Sequence, residues 1–132
     1  MTRNDDEQNP PQDIGWSPPP PEECEEYNYD SAVGDPGDLL HFRQCWDMSG
    51  RMADFAIIQM SRLDGRLKRV AEADIRHGEL HVHILNQQGK RIGRESIQPV
   101  VTQQDVEKAY DVAFDRFVEK WEEYKRRWRS GR

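Results

Sequence analysis

Between Val106 and Trp128 the apolar residues fall at Val106, Tyr110, Ala113, Phe117, Trp121, Tyr124 and Trp128, in steps of 4, 3, 4, 4, 3 and 4. The 3.6-residue period of an α-helix puts all of them on one side. Ala109, Phe114 and Val118 widen the stripe. Pro99 closes what comes before, and Thr102 with Asp105 three residues on is a variant of the capping box. The spacing predicts a helix over about 102–129. At roughly 1.5 Å per residue it would be about 40 Å long, more than a small domain needs, so its last turn or two is expected to project. A helix so one-sided needs a second apolar layer to cover it, and the preceding residues must supply that layer.

That preceding stretch reads as strands. Asp54 to Met60 is a short apolar run with β-branched residues, and Asp64-Gly65 is a strong hairpin signal. Leu80, Val82 and Ile84 alternate with Glu79, His81 and His83, the period-2 signature of a sheet with one apolar face. Gln87 to Lys90 turns the chain into Arg91–Gln98. Arg66 to Ile75 is ambiguous, because Leu67, Val70 and Ala71 also fit a short helix; the hairpin turn before it and His77-Gly78 after it favour a strand. The expectation is an α+β two-layer fold: an antiparallel β-meander of three to four strands within about 53–98, packed by one long C-terminal α-helix.

Composition divides the chain. Seven of its eight prolines precede residue 37, and the same stretch holds ten acids against the single base Arg3, a net charge of −9. From Asp38 onward 18 bases face 15 acids, a net +3. Residues 1–37 are therefore expected to be a disordered acidic, Pro-rich tail, with 38–132 the folded domain. The tail reads as a solubilising arm. Alternatively it is a polyanion mimic that folds back on its own domain or docks a basic partner, and Trp16, Tyr27 and Tyr29 suit a docking segment. No run approaches the ~18 apolar residues of a membrane span, and Met1 to Asp6 has no apolar signal region. The two cysteines, Cys24 and Cys45, form no CxxC and too few bridges for a disulfide framework, so a reduced, cytoplasmic chain is expected.

Chemistry concentrates in the run His77-Gly-Glu-Leu-His81-Val-His83, with Asp74 just upstream. On a strand His81 and His83 share a face with Glu79, and Asp74 and His77 could approach from the turn. The plainest reading is solvent-facing or partner-facing histidines. A divalent metal held by His81, His83, His77 and Asp74 is a second reading, without which no cofactor is expected. A third is nucleotide chemistry. His81-Val-His83-Ile-Leu resembles part of the histidine-triad motif of nucleotide hydrolases, in which the middle histidine attacks phosphate; Glu79 and Leu85 stand where a third histidine would be.

The basic end offers a different surface. Tyr124 to Arg132 holds Lys125, Arg126, Arg127, Arg129 and Arg132, no acid, and the aromatics Tyr124 and Trp128. Arginine beside aromatics grips phosphate and stacks bases, which allows nucleic acid as a partner. A net charge of −6 opposes polyanions, and cations in a last helical turn also complement the helix dipole without any ligand. Walker, GxGxxG, GxSxG, HExxH and zinc-finger spacings are absent from the sequence, as are internal repeats.

Asp74-Ile-Arg-His77-Gly78-Glu-Leu-His81-Val-His83, followed by Tyr110, Phe117, Trp121 and Tyr124, resembles a group of small, functionally uncharacterised bacterial and phage proteins over about residues 53–128. The resemblance implies a strand pair, a turn, another strand and a closing aromatic helix, and a prokaryotic or phage origin. The leading functional expectation is a non-enzymatic interaction module that binds a protein partner or a second copy of itself. Its contacts would be Phe117, Trp121, Tyr124 and Trp128, with Arg126 and Arg127, and its acidic arm would be regulatory. The alternative is a small toxin-like or histidine-dependent enzyme acting on RNA or nucleotides, metal-assisted or not. There His77, His81 and His83 would be catalytic, and Arg76 or Arg94 would sit on phosphate.

Overall fold

The computed structural model describes residues 15–132. Six strands precede one helix: β1 Glu25–Ala32, β2 Leu39–Trp46, β3 Met52–Leu63, β4 Arg66–Asp74, β5 Glu79–Leu85, β6 Arg91–Pro99 and α1 Gln103–Ser130. Order in the sheet is order in the chain, and each strand pairs antiparallel with the next. The α+β architecture agrees with the sequence reading, and the strand count does not: the described residues hold six strands rather than three to four. The ambiguous stretch from Arg66 is strand β4. Asp64 and Gly65 turn β3 into it, both at positive φ (53° and 76°), as a two-residue hairpin loop requires.

The added strands overturn part of the tail expectation. Residues 1–14 lie outside the described residues, but from Gly15 to Gly37 the chain carries a short 3-10 turn at Pro21–Glu23 and the whole of β1. Specific attachments offset the cost of ordering this acidic stretch. β1 pairs with β2 along its full length, from Glu25 opposite Trp46 to Ala32 opposite Leu39. Cys24 is joined to Cys45 by a disulfide, so the expectation of reduced thiols is also corrected. The Trp16 backbone N–H donates to the Val100 carbonyl (2.7 Å), and its indole N–H donates to the Ala53 carbonyl (2.8 Å). Tyr29 stacks on Phe42 with ring centroids 4.7 Å apart.

Alternation divides the sheet into two faces. Leu40, Phe42, Phe55, Ile57, Ala71, Ala73, Leu80, Val82 and Ile84 belong to the core, where they meet the helical stripe from Val106 to Trp128. Each fully buried large apolar side chain stabilises the fold by roughly 1.5–3 kcal/mol. The capping box is present: Thr102 Oγ1 accepts from the Asp105 N–H, and the Asp105 carboxylate accepts from the Thr102 N–H. The last turns do not project. Tyr124, Lys125 and Trp128 are buried, and Gln87 of the β5–β6 turn donates to the Arg129 carbonyl (3.4 Å). At the edge of the stripe, Phe114 and Val118 are exposed.

A buried polar clasp fixes this end of the helix. Lys125 Nζ donates to Asp35 (2.7 Å) and Asp38 (2.8 Å) in the β1–β2 connection. Asp38 also accepts from Ser61 Oγ (2.6 Å) and the Trp121 indole (3.3 Å). Burial pushes the Asp38 carboxyl up, but donation from Lys125, Ser61 and Trp121 outweighs it and holds the group below its ordinary value. Burial likewise lowers Lys125, and its two carboxylates more than reverse that. Gly34, at φ +85°, lies against Trp121; a Cβ there would run into the indole nitrogen.

Candidate functional site

The residues that alternate with the core side chains point away from α1. They put His41 and Arg43 of β2, Asp54 of β3, Glu72 and Asp74 of β4, and His81 and His83 of β5 on the other face. A depression of about 410 Å³ crosses that face, lined from Asn28 on β1 to Arg91 beyond β5 and including His41, Arg43, Arg69, Asp74 and Arg76. Several of its charges are matched: Arg43 with Asp54 (2.9 Å), Arg69 with Glu72, and His41 with Asp30 (2.6 Å). Arg76 and Arg91 have no ion-pair partner among the described residues.

Asp74, at the wall of this depression, comes together with His81 and His83, which are buried behind it. Asp74 stands directly opposite His81 in the β4–β5 register, as Glu72 does opposite His83. One ligand-type atom of each of the three lies within 4.8 Å of the others. Asp74 Oδ1 is 2.7 Å from His81 Nε2 and also accepts the Arg76 backbone N–H (3.1 Å). The rings of His81 and His83 meet edge to face, with centroids 4.7 Å apart. His81 is 2% and His83 7% exposed. His81 Nδ1 is buried with no hydrogen-bond partner, and Glu79 Oε1 stands 3.8 Å away.

The field around the trio is uneven. Burial, reinforced by the charge of Arg91, lowers His83 and favours its neutral, lone-pair-bearing ring. Burial acts upward on Asp74, but donation from His81 and the Arg76 backbone wins, so the carboxyl stays below its ordinary value and ionised. Glu79 is also held low, chiefly by its hydrogen bond from Arg94 (2.8 Å).

The other expected site residues are distributed differently. His77 does not join the trio. It sits exposed in the turn before β5 at φ 60°, a left-handed conformation that non-glycine residues rarely adopt, and lines a separate cavity of about 610 Å³ with Glu79, Arg94 and Ser96. Arg94 is engaged by Glu79, which leaves Arg76 as the freer of the two arginines expected on phosphate. Phe117, Trp121, Tyr124 and Trp128, expected to contact a partner, are at most 5% exposed because they are the helix's half of the core. Buried in this way, Tyr124 and Trp128 cannot stack bases, and Lys125 is spent on Asp35 and Asp38, so the basic end is smaller than its composition suggests. Arg126 is exposed, and Arg127 donates to the Arg132 carbonyl (3.0 Å). Among residues the sequence reading did not place in a site, His41, Arg43 and Arg91 line the depression. Alternation within Leu40-His41-Phe42-Arg43 was the signal for the first two.

No helix among the described residues is long and apolar enough to cross a membrane. Neither the curated proteins nor the solved structures contain a match to the chain. A family model does match, over residues 26–132, from the second residue of β1 to beyond α1. On that extent, which takes in the sheet, the helix and the Asp74–His81–His83 trio, the chain belongs to the family described as Domain of unknown function (DUF7718).

Proposed function

We propose that the chain works through the polar face of its sheet as a histidine-dependent domain acting on a phosphate-bearing ligand of nucleotide size, free or within RNA. The observation that carries this reading is Asp74 in the wall of an arginine-lined depression, with His81 2.7 Å behind it. Donation from His81 helps hold Asp74 ionised at the wall of the depression, where a positioned carboxylate can take up a proton in acid–base chemistry. Arg76 and Arg91 supply positive charge unmatched among the described residues, and about 410 Å³ is within the range of small-ligand pockets. Phosphate would sit on those arginines and Asp74, which faces the depression, would exchange the proton, with His81 behind it a positioning residue.

Isothermal titration with ribonucleoside mono-, di- and triphosphates and with a short single-stranded RNA tests this, followed by assay of each binder for turnover. Arg91→Ala and Arg76→Ala should each weaken the bound member by roughly tenfold or more, the scale of one charge-assisted hydrogen bond. Asp74→Asn should abolish turnover while leaving binding, and His81→Gln should lower turnover. The reading is wrong if no phosphate compound binds, or if binding ignores both arginine substitutions.

A second reading, a non-enzymatic protein-interaction module, is supported by β1, whose eight residues are all exposed at an edge of the sheet and include Tyr27 and Tyr29. Among the described residues nothing pairs with the outer side of β1, and such an edge accepts an added strand, either from a partner or from a second copy. Glu25, Glu26 and Asp30 on the same strand work against indiscriminate pairing, which ranks this reading second. Light scattering across a concentration series tests the self-association form.

A further inference from the structure

We infer that Asp74, His81 and His83 form a binding site for a divalent metal ion of the zinc type, with Glu79 as the carboxylate behind it. The inference stands on the trio itself and does not depend on the phosphate reading.

The β4–β5 register, not loop geometry, assembles the donors: Asp74 faces His81 across the hairpin, and His83 follows two residues on with the same orientation. Two imidazoles and a carboxylate are the donor types that zinc and its neighbours favour, and three protein ligands leave a coordination position open. Both rings are already out of water, at 2% and 7% exposure, so their desolvation is complete before an ion arrives. The ligand atoms lie within 4.8 Å of one another. Bonds of about 2.0–2.2 Å around a tetrahedral ion put them roughly 3.3 Å apart, a closure that small side-chain rotations supply.

Hydrogen-bond accounting at His81 adds an independent reason. A neutral imidazole has one N–H and one lone pair. If Nε2–H donates to Asp74, the Nδ1 lone pair is left buried without a donor, on the side where Glu79 Oε1 stands at 3.8 Å. An ion on Nε2 reverses this: Nδ1 then carries the proton and Glu79 accepts it. That is the carboxylate–histidine–metal arrangement in which a second carboxylate fixes the tautomer of a ligating ring. An imidazolium held between Asp74 and Glu79 would meet the same mismatch without metal, and the experiment separates the two.

Full-length chain stripped with chelator and dialysed is titrated with Zn²⁺ by calorimetry and with Co²⁺ by visible absorption. One ion per chain is expected, with Co²⁺ giving the ligand-field bands of a low-coordinate nitrogen–oxygen site, and Zn²⁺ raising the thermal midpoint. Asp74→Asn and His83→Gln keep side-chain volume and should weaken binding about 100-fold or more, and Glu79→Gln about 10–100-fold. His41→Ala with His77→Ala should leave affinity and midpoint shift unchanged. Circular dichroism of each variant without metal shows that the fold survives. Absence of stoichiometric binding to the wild-type chain overturns the inference in favour of the imidazolium. Binding that survives Asp74→Asn and His83→Gln, or that disappears with His41 and His77, overturns it in favour of surface histidines.

Discussion

Replacing Lys125 with methionine keeps the length of the side chain and removes the charge from the clasp at the end of α1. Asp38, 5% exposed, would then be a buried carboxylate whose remaining donors are Ser61 Oγ at 2.6 Å and the Trp121 indole at 3.3 Å. Breaking a buried pair by deleting one partner costs about 3–5 kcal/mol. The two surviving donors put Lys125→Met at the lower end, and Asp35, half exposed in its own pairing, adds about 1 kcal/mol at most. The expected loss at pH 7 is therefore about 3 kcal/mol, which at a urea slope of about 2 kcal/mol per molar lowers the midpoint by roughly 1.5 M. The pH dependence carries a sign. In the wild type the Asp38 carboxyl lies below its ordinary 3.8, so its contribution is present above that pH and is lost as pH falls through the folded value. In the variant, burial is opposed by fewer donors and the carboxyl rises above 3.8, so acidification protonates the stranded group and relieves the defect. The gap between the two proteins should narrow from pH 7 to about pH 4. Adding Asp38→Asn to the variant should recover part of the loss at pH 7. A gap under about 1 kcal/mol, or one that widens on acidification, would refute the account of a buried, charge-compensated clasp.

Trp128→Ala should cost about 3–5 kcal/mol by chemical denaturation, because the ring is 2% exposed in the core; an unchanged midpoint would return it to the surface. Reducing the Cys24–Cys45 bridge, which spans 21 residues, should lower stability by about 3 kcal/mol and loosen β1 first, seen as faster amide exchange over Glu25–Ala32 than over β3. Gly34→Ala forces a side chain into a left-handed backbone and against the Trp121 ring, and should destabilise by about 2 kcal/mol or more, with a change in tryptophan fluorescence.

The elements legible in the sequence were those whose pattern is set by burial on one side. The stripe from Val106 to Trp128 announced the helix because each of those residues faces the sheet, and Leu80, Val82 and Ile84 announced β5 for the same reason. β1 gave no such signal. Glu25 to Ala32 is exposed throughout, so nothing in its composition separates an edge strand from a solvated tail; its place comes from pairing to β2 and from the Cys24 bridge, which a local pattern cannot display. The aromatic residues of the helix are expected at a partner because the helix is longer than a small domain needs, yet β3, β4 and β5, all legible in the sequence, take most of its packing and bury them. At the site, the shared face of His81 and His83 followed from strand period alone. That Asp74 and not His77 would join them depended on the β4–β5 register, a property of two strands together.

Strict chain order in the sheet has a consequence for how the molecule is made. Every hairpin closes between neighbours in sequence, so each strand can pair soon after it is synthesised, at low loop-closure cost. The apolar face those strands create has no cover until α1, which comes after all six of them. A nascent chain that has emerged only as far as Pro99 therefore holds a nearly complete sheet with Phe42, Phe55, Ile57 and Val82 open to water, the state most prone to sticking to another copy or recruiting a chaperone. On this topology the sheet cannot bury its apolar face before α1 arrives.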